Sequence, residues 1–260
     1  MSATFAECGG IIVDGDVIAR EVATLLAAHS GNPALAVLSG GSETLQRPEM
    51  LGIRTEDRDV PVIDQVLRDV VASRGDVVYV RSSPAPPDGS DHLAIRPDSG
   101  VAHWFGVGGY LRPVADVRSA GVRFAAECLA FANPPSPAAV ERHFGSAAVA
   151  GHHPDWKAGV PRDRGASWDF EDVRDFYVRE VFGVDPLAVR RADPERYLQL
   201  GRMAVAEAMG RCFSFWRQPG SGCDGALVLS AKDVVPGAGW GLLDVDGAPK
   251  AALDVLARVW

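Results

Sequence analysis

The stretch Asn32–Glu43, NPALAVLSGGSE, decides the reading of the fold. Asn32 and Pro33, with Gly31 before them, stop the helical pattern upstream. Ala34–Ser39 is a short apolar run that reads as a buried strand, and Gly40 and Gly41 end it. Glu43 follows almost at once. Upstream, residues 16–29 set Ile18, Val22, Leu25 and Leu26 on one helical face. Downstream, residues 61–73 repeat the stripe with Val62, Ile63, Val66, Leu67, Val70 and Val71. Gly75 closes that helix, and residues 77–81 (VVYVR) make the next strand. Helix followed by strand, repeated, is the alternation of a parallel α/β sheet.

The same pattern continues along the chain. Strands are expected at 34–39, 77–81, 101–107, 122–126 and 225–230, with a weaker one at Gly10–Val13. Further helices are expected at 169–183, 194–217 and 248–260, and a short one near 113–119. Residues 134–168, rich in proline, histidine and glycine, read as a long loop with a little helix. Asp193 and Pro194 have the chemistry of an N-cap and first helical position. No repeat or low-complexity linker divides the 260 residues, so they read as a single domain, 1–260. The fold class expected is α/β of the (β/α) TIM-barrel type. It is incomplete, covering strands three or four to eight, because a closed barrel needs eight strands.

Composition narrows the function. The chain is 47% hydrophobic and 23% charged, with a net charge of −8. That balance argues against a broad nucleic-acid footprint. The start has no signal-peptide pattern and no apolar run reaches membrane-spanning length, so a cytoplasmic location with no membrane partner is expected. Cys8, Cys128, Cys212 and Cys223 form no C-x-x-C pair and lack zinc spacing, and reduced thiols are expected rather than two disulfides. His143, His152, His153 and Asp155 match no standard metal site, and the glycines at 106–109 lack a complete dinucleotide fingerprint. No metal and no cofactor is expected.

Two expected strands run into a carboxylate: Ala34–Ser39 into Glu43, and residues 122–126 into Glu127. A buried strand leading straight into a glutamate is unusual, because an isolated buried charge is costly. At the C-terminal face of a parallel barrel that position points into the active-site mouth. A pair of such glutamates is what glycoside hydrolysis uses, one as acid and one as nucleophile or base.

The tail, Cys223–Trp260, resembles the last strand and helix of the β-mannosidase type of glycoside hydrolase family 2. The similar elements are GALV, Asp233, Pro236–Gly237, Trp240, Asp244, Asp246–Gly247 and Pro249–Lys250. Asn32–Glu43 is similar to that family's fourth strand and Ala120–Ser136 to its seventh. Ser82–Ser83–Pro84 resembles the end of the fifth, and Ala102–His103–Trp104 the sixth. The resemblance implies a retaining glycoside hydrolase acting on β-mannoside-like or related β-glycosides. It makes Glu43 the general acid/base and Glu127 the nucleophile, with His103 toward a sugar hydroxyl or the nucleophile. Ser42 stands where the family has a sugar-binding Asn, and Leu229 where it has an aromatic floor. Trp104, Tyr110 and Trp240 are the candidates to replace that floor. The implied partner is a carbohydrate substrate. The alternative is a catalytically weak or inactive barrel fragment that binds carbohydrate, a second copy or a partner chain completing the barrel.

Overall fold

The computed structural model describes residues 14–75 and 77–260. Cys8 and the weak strand expected at Gly10–Val13 lie outside the described residues. The chain forms two compact units, one ending at His103 and one running from Trp104 to Trp260.

In the first unit, helix α1 (Gly15–Ala28) starts at Asp14, whose side chain accepts from the amides of Asp16 and Val17. It buries Ile18 and Leu26, while Leu25, expected on the same stripe, is exposed. Strand β1 (Val37–Ser39) leads through Glu43 to helix α2 (Gln46–Met50), which the sequence reading missed. The expected helix at 61–73 is a π-helical stretch, Val62–Leu67, continued by α3 (Arg68–Ala72). Strand β2 (Val78–Val80) pairs parallel with β1 in the register Val37↔Val78, Leu38↔Tyr79, Ser39↔Val80. The expectation of a buried β1 needs correction. Val37 and its register partner Val78 are 54% and 62% exposed, and only Leu38 of β1 is half-buried. Strand β3 (Val101–Trp104) begins with an antiparallel bridge between Ala85 and Val101, and the chain passes into the second unit within it.

In the second unit, β4 (Phe124–Cys128) pairs parallel with the short β5 (Gly225–Ala226). Between them the chain is helical. The stretch 134–168 holds α4 (Pro137–Phe144), α5 (Ala147–Ala150) and α6 (Pro154–Gly159), where a loop was expected. Its prolines start helices rather than break them: Ser136 and His153 cap α4 and α6, and Pro137 and Pro154 take the first position. Then come α7 (Phe170–Phe182), α8 (Pro186–Ala192) and α9 (Pro194–Trp216). Asp193 accepts from the Arg196 amide at 2.9 Å and Pro194 opens α9, as its sequence implies. Helix α10 (Ala251–Val259) closes the unit.

The core of this unit gathers around α9, which packs on α7, α8 and α10. Gly210 is needed there, since a Cβ would come 2.6 Å from Val255 of α10. The buried side chains include Phe131, Trp156, Tyr177, Val178 and Leu256. The architecture is thus α/β with parallel strand pairs and helices between them. Among the described residues no helix is long and apolar enough to cross a membrane.

Candidate active site

In the first unit the parallel pairing runs on past β1 and delivers Glu43. The Gly40 amide donates to Val80 O at 2.8 Å, the Ser83 amide to Gly41 O at 2.9 Å, and the Glu43 amide to Ser83 O at 2.6 Å. Ser42, buried, bridges to Ser83 in the parallel sense. Gly40 is required because a Cβ would overlap the Tyr79 hydroxyl, which is itself tied to Ile63 O. Glu43 has φ +58°, the left-handed region. For a non-glycine residue this costs about 1–2 kcal/mol, and such strain gathers at functional positions.

The Glu43 side chain is 23% exposed. Its Oε1 accepts from Gln46 Nε2 at 3.1 Å and faces His103 Nδ1 at 3.2 Å, while Arg47 Nε lies 3.7 Å from Oε2. The His103 side chain is 1% exposed, and its Nε2 is 2.8 Å from Ser83 Oγ. In the neutral ring, Nδ1–H donates to Glu43 and Nε2 accepts from the Ser83 hydroxyl. The bond from His103 holds the Glu43 carboxyl below the usual carboxylate range. Burial acts the other way, and the charge of His103 when protonated, that of Arg47 and the Gln46 bond add to the lowering. This is a carboxylate kept ionised.

In the second unit, Glu127 sits next to the end of β4 and is half-buried. Its strand is anchored by the Asp224 amide on Arg123 O at 2.7 Å and the Leu227 amide on Ala125 O at 2.8 Å. Cys128 is buried, with Sγ toward Leu227 O. Leu129–Asn133, which follow, are all buried.

The two tryptophans of the sequence reading differ. Trp104 is 7% exposed, edge-on to Trp216 at 5.7 Å, and belongs to the core of this unit. That leaves its ring little surface for a sugar. Trp240 keeps part of its surface open, with an edge-on contact to Phe170 at 5.0 Å. Tyr110 is well exposed and Leu229 is partly buried against the core. His143 is bonded to Asp246 at 2.9 Å, and His153 caps α6.

Two polar groupings entered the sequence reading only as parts of the resemblance, with no role attached. Ser83 entered it only through a resemblance, although its spacing, at the end of the strand after Glu43's, was a usable signal. Asn133, Asp233 and Lys250 form a buried network around Trp240, and nothing in their spacing of 100 and 17 residues announces that they meet.

Neither a known family's sequence profile nor the sequence of a characterised protein matches the chain. Its fold does match solved structures. One is the β-D-mannosidase from Dictyoglomus thermophilum, with a TM-score of 0.71 and 16% identity, covering 94% of this chain and 29% of that one. The chain therefore spans under a third of that mannosidase's length and is similar in fold to part of it.

Proposed function

We propose that this chain is a barrel-type glycosidase domain, covering barrel strands three or four to eight. It acts by retention on β-mannoside-like or related β-glycosides. In the proposed reaction the Glu127 carboxylate attacks the anomeric carbon and forms a glycosyl ester as the bond to the leaving oxygen breaks. Glu43 gives its proton to that oxygen. A water then loses a proton to Glu43 and attacks the anomeric carbon, and Glu127 leaves as carboxylate. Such a mechanism calls for carboxyl groups about 5 Å apart.

The observation that carries the reading is the placement of the two glutamates. Each stands at or just past the C-terminal end of a strand held in a parallel pair, Glu43 after β1 and Glu127 in β4. Open α/β sheets and barrels keep their ligands at that end. The likeness to a mannosidase over 94% of the chain supports the same reading.

A second reading, a weak glycosidase or a carbohydrate-binding barrel fragment, is favoured by the His103–Glu43 bond. A carboxyl held low is scarcely protonated when the first step needs an acid, and it is a weaker base in the second. Assay of aryl β-mannosides with graded leaving groups separates the two. For an active glycosidase, Glu127→Gln abolishes turnover, and Glu43→Ala slows poor leaving groups far more than good ones. Equal losses across leaving groups would remove Glu43 from the acid role. Absence of turnover, with mannoside still bound, would leave the second reading.

A further inference from the structure

We propose, resting on the glycosidase reading, that the buried Lys250–Asp233 ion pair with Asn133 is a positioning device for Trp240, whose indole forms a stacking wall for the sugar. The Lys250 side chain is wholly buried. Its ammonium donates to Asp233 Oδ2, to Asn133 O at 2.8 Å and to Gly239 O at 3.3 Å. Three acceptors match its three donors. Asp233 Oδ1 takes the Gly241 amide at 2.7 Å. Asn133 donates its amide to Gly239 O at 3.0 Å and its Nδ2 to Gly241 O at 3.1 Å. The peptide groups before and after Trp240 are therefore both gripped by one charged network.

The local sequence is shaped to admit that grip. A Cβ on Gly239 or Gly241 would run into the Asp233 carboxylate. Asn133 lies within the buried segment that follows β4, so the network ties Trp240 to the strand carrying Glu127. Stability alone does not account for it. Desolvating two ions is costly, and apolar replacements of buried ion pairs are often as stable. What the network adds is a fixed backbone on either side of one partly exposed tryptophan. Aromatic faces stack on the apolar faces of other rings, and a fixed wall retains more of that contact than a mobile one.

The test labels the tryptophans of the full chain with 5-fluorotryptophan and follows them by fluorine NMR, with Trp240→Phe identifying the Trp240 line. Methyl β-mannoside is the titrant. The expected result is that the Trp240 line moves on titration. In Lys250→Met that line shifts or broadens while the other tryptophan lines hold. Mannoside affinity then weakens about tenfold, with KM rising more than kcat falls. Should Lys250→Met fail to fold, Asp233→Asn keeps the shape of the side chain, removes the ion pair and carries the same expectation. A Trp240 line that is indifferent to either variant overturns the proposal. So does a titration that moves another tryptophan and not Trp240, which leaves the glycosidase reading standing. If mannoside moves no line and is not turned over, that reading and this proposal fall together.

Discussion

At the level of single residues, the bond from His103 to Glu43 sets the chemistry available to the first carboxylate. Glu43's carboxyl is held low, so its ionised form stabilises the fold above the ordinary carboxylate range, and that contribution is lost as pH falls through the lowered value. For an acid catalyst the same shift cuts activity, because the protonated form disappears at lower pH. His103→Leu removes both the bond and the charge by which this residue lowers it. The account predicts that the alkaline limb of kcat/KM moves to higher pH in this variant, measured on a poor leaving group; a limb that stays put or moves down counts against the assignment. The strand-end positions of Glu43 and Glu127 were legible because a short apolar run leading into a carboxylate is visible in one line of sequence, whereas His103 entered only through the family resemblance. Trp104 was legible as an aromatic but not as core, because its exposure depends on Trp216, 112 residues away.

Among the elements, α6 and α7 are joined by charges whose role the sequence did not disclose. Glu171 is buried in the first turn of α7 and accepts from Trp156 Nε1 at 3.0 Å, from Lys157 and from Arg174 Nη1 at 3.3 Å. Burial would raise its carboxyl, but Arg174, Lys157 and the Trp156 bond outweigh it and bring it down to about 2. A lowered carboxyl stabilises the fold above its unfolded value near 4.5, and the benefit is lost as pH falls toward about 2. By that linkage Glu171→Gln loses on the order of 3 kcal/mol at pH 7. Urea unfolding at pH 7 and at pH 3 checks this: the gap between variant and parent narrows at pH 3, and a gap of equal size at both would refute the electrostatic account. The expected helices at 169–183 and 194–217 were readable from their stripes and from Asp193–Pro194. The helices of 134–168 were not. They run four to eight residues, too short to show a period, and their prolines sit at helix starts.

For the molecule as a whole, the alternation of helix and strand was legible, and the parallel pairing of β1 with β2 and of β4 with β5 follows from it. Strand extents were less so. GALVLS reads as a full buried strand, yet the strand is only Gly225–Ala226 and Leu227 is exposed, because apolar composition alone fixes neither strand length nor burial. The exposed pair Val37 and Val78 is a departure of the same kind, since parallel strands usually have both faces covered.

The central claim is that Glu127 is the nucleophile of a retaining mechanism, and covalent trapping tests it most directly. The chain is incubated with 2-deoxy-2-fluoro-β-mannosyl fluoride, which forms the glycosyl ester but releases it slowly, and the labelled peptide is sequenced by mass spectrometry. The account predicts one sugar per chain, on Glu127, and none on Glu127→Gln. A label on another residue, or turnover of β-mannosides with no label on Glu127, would contradict it.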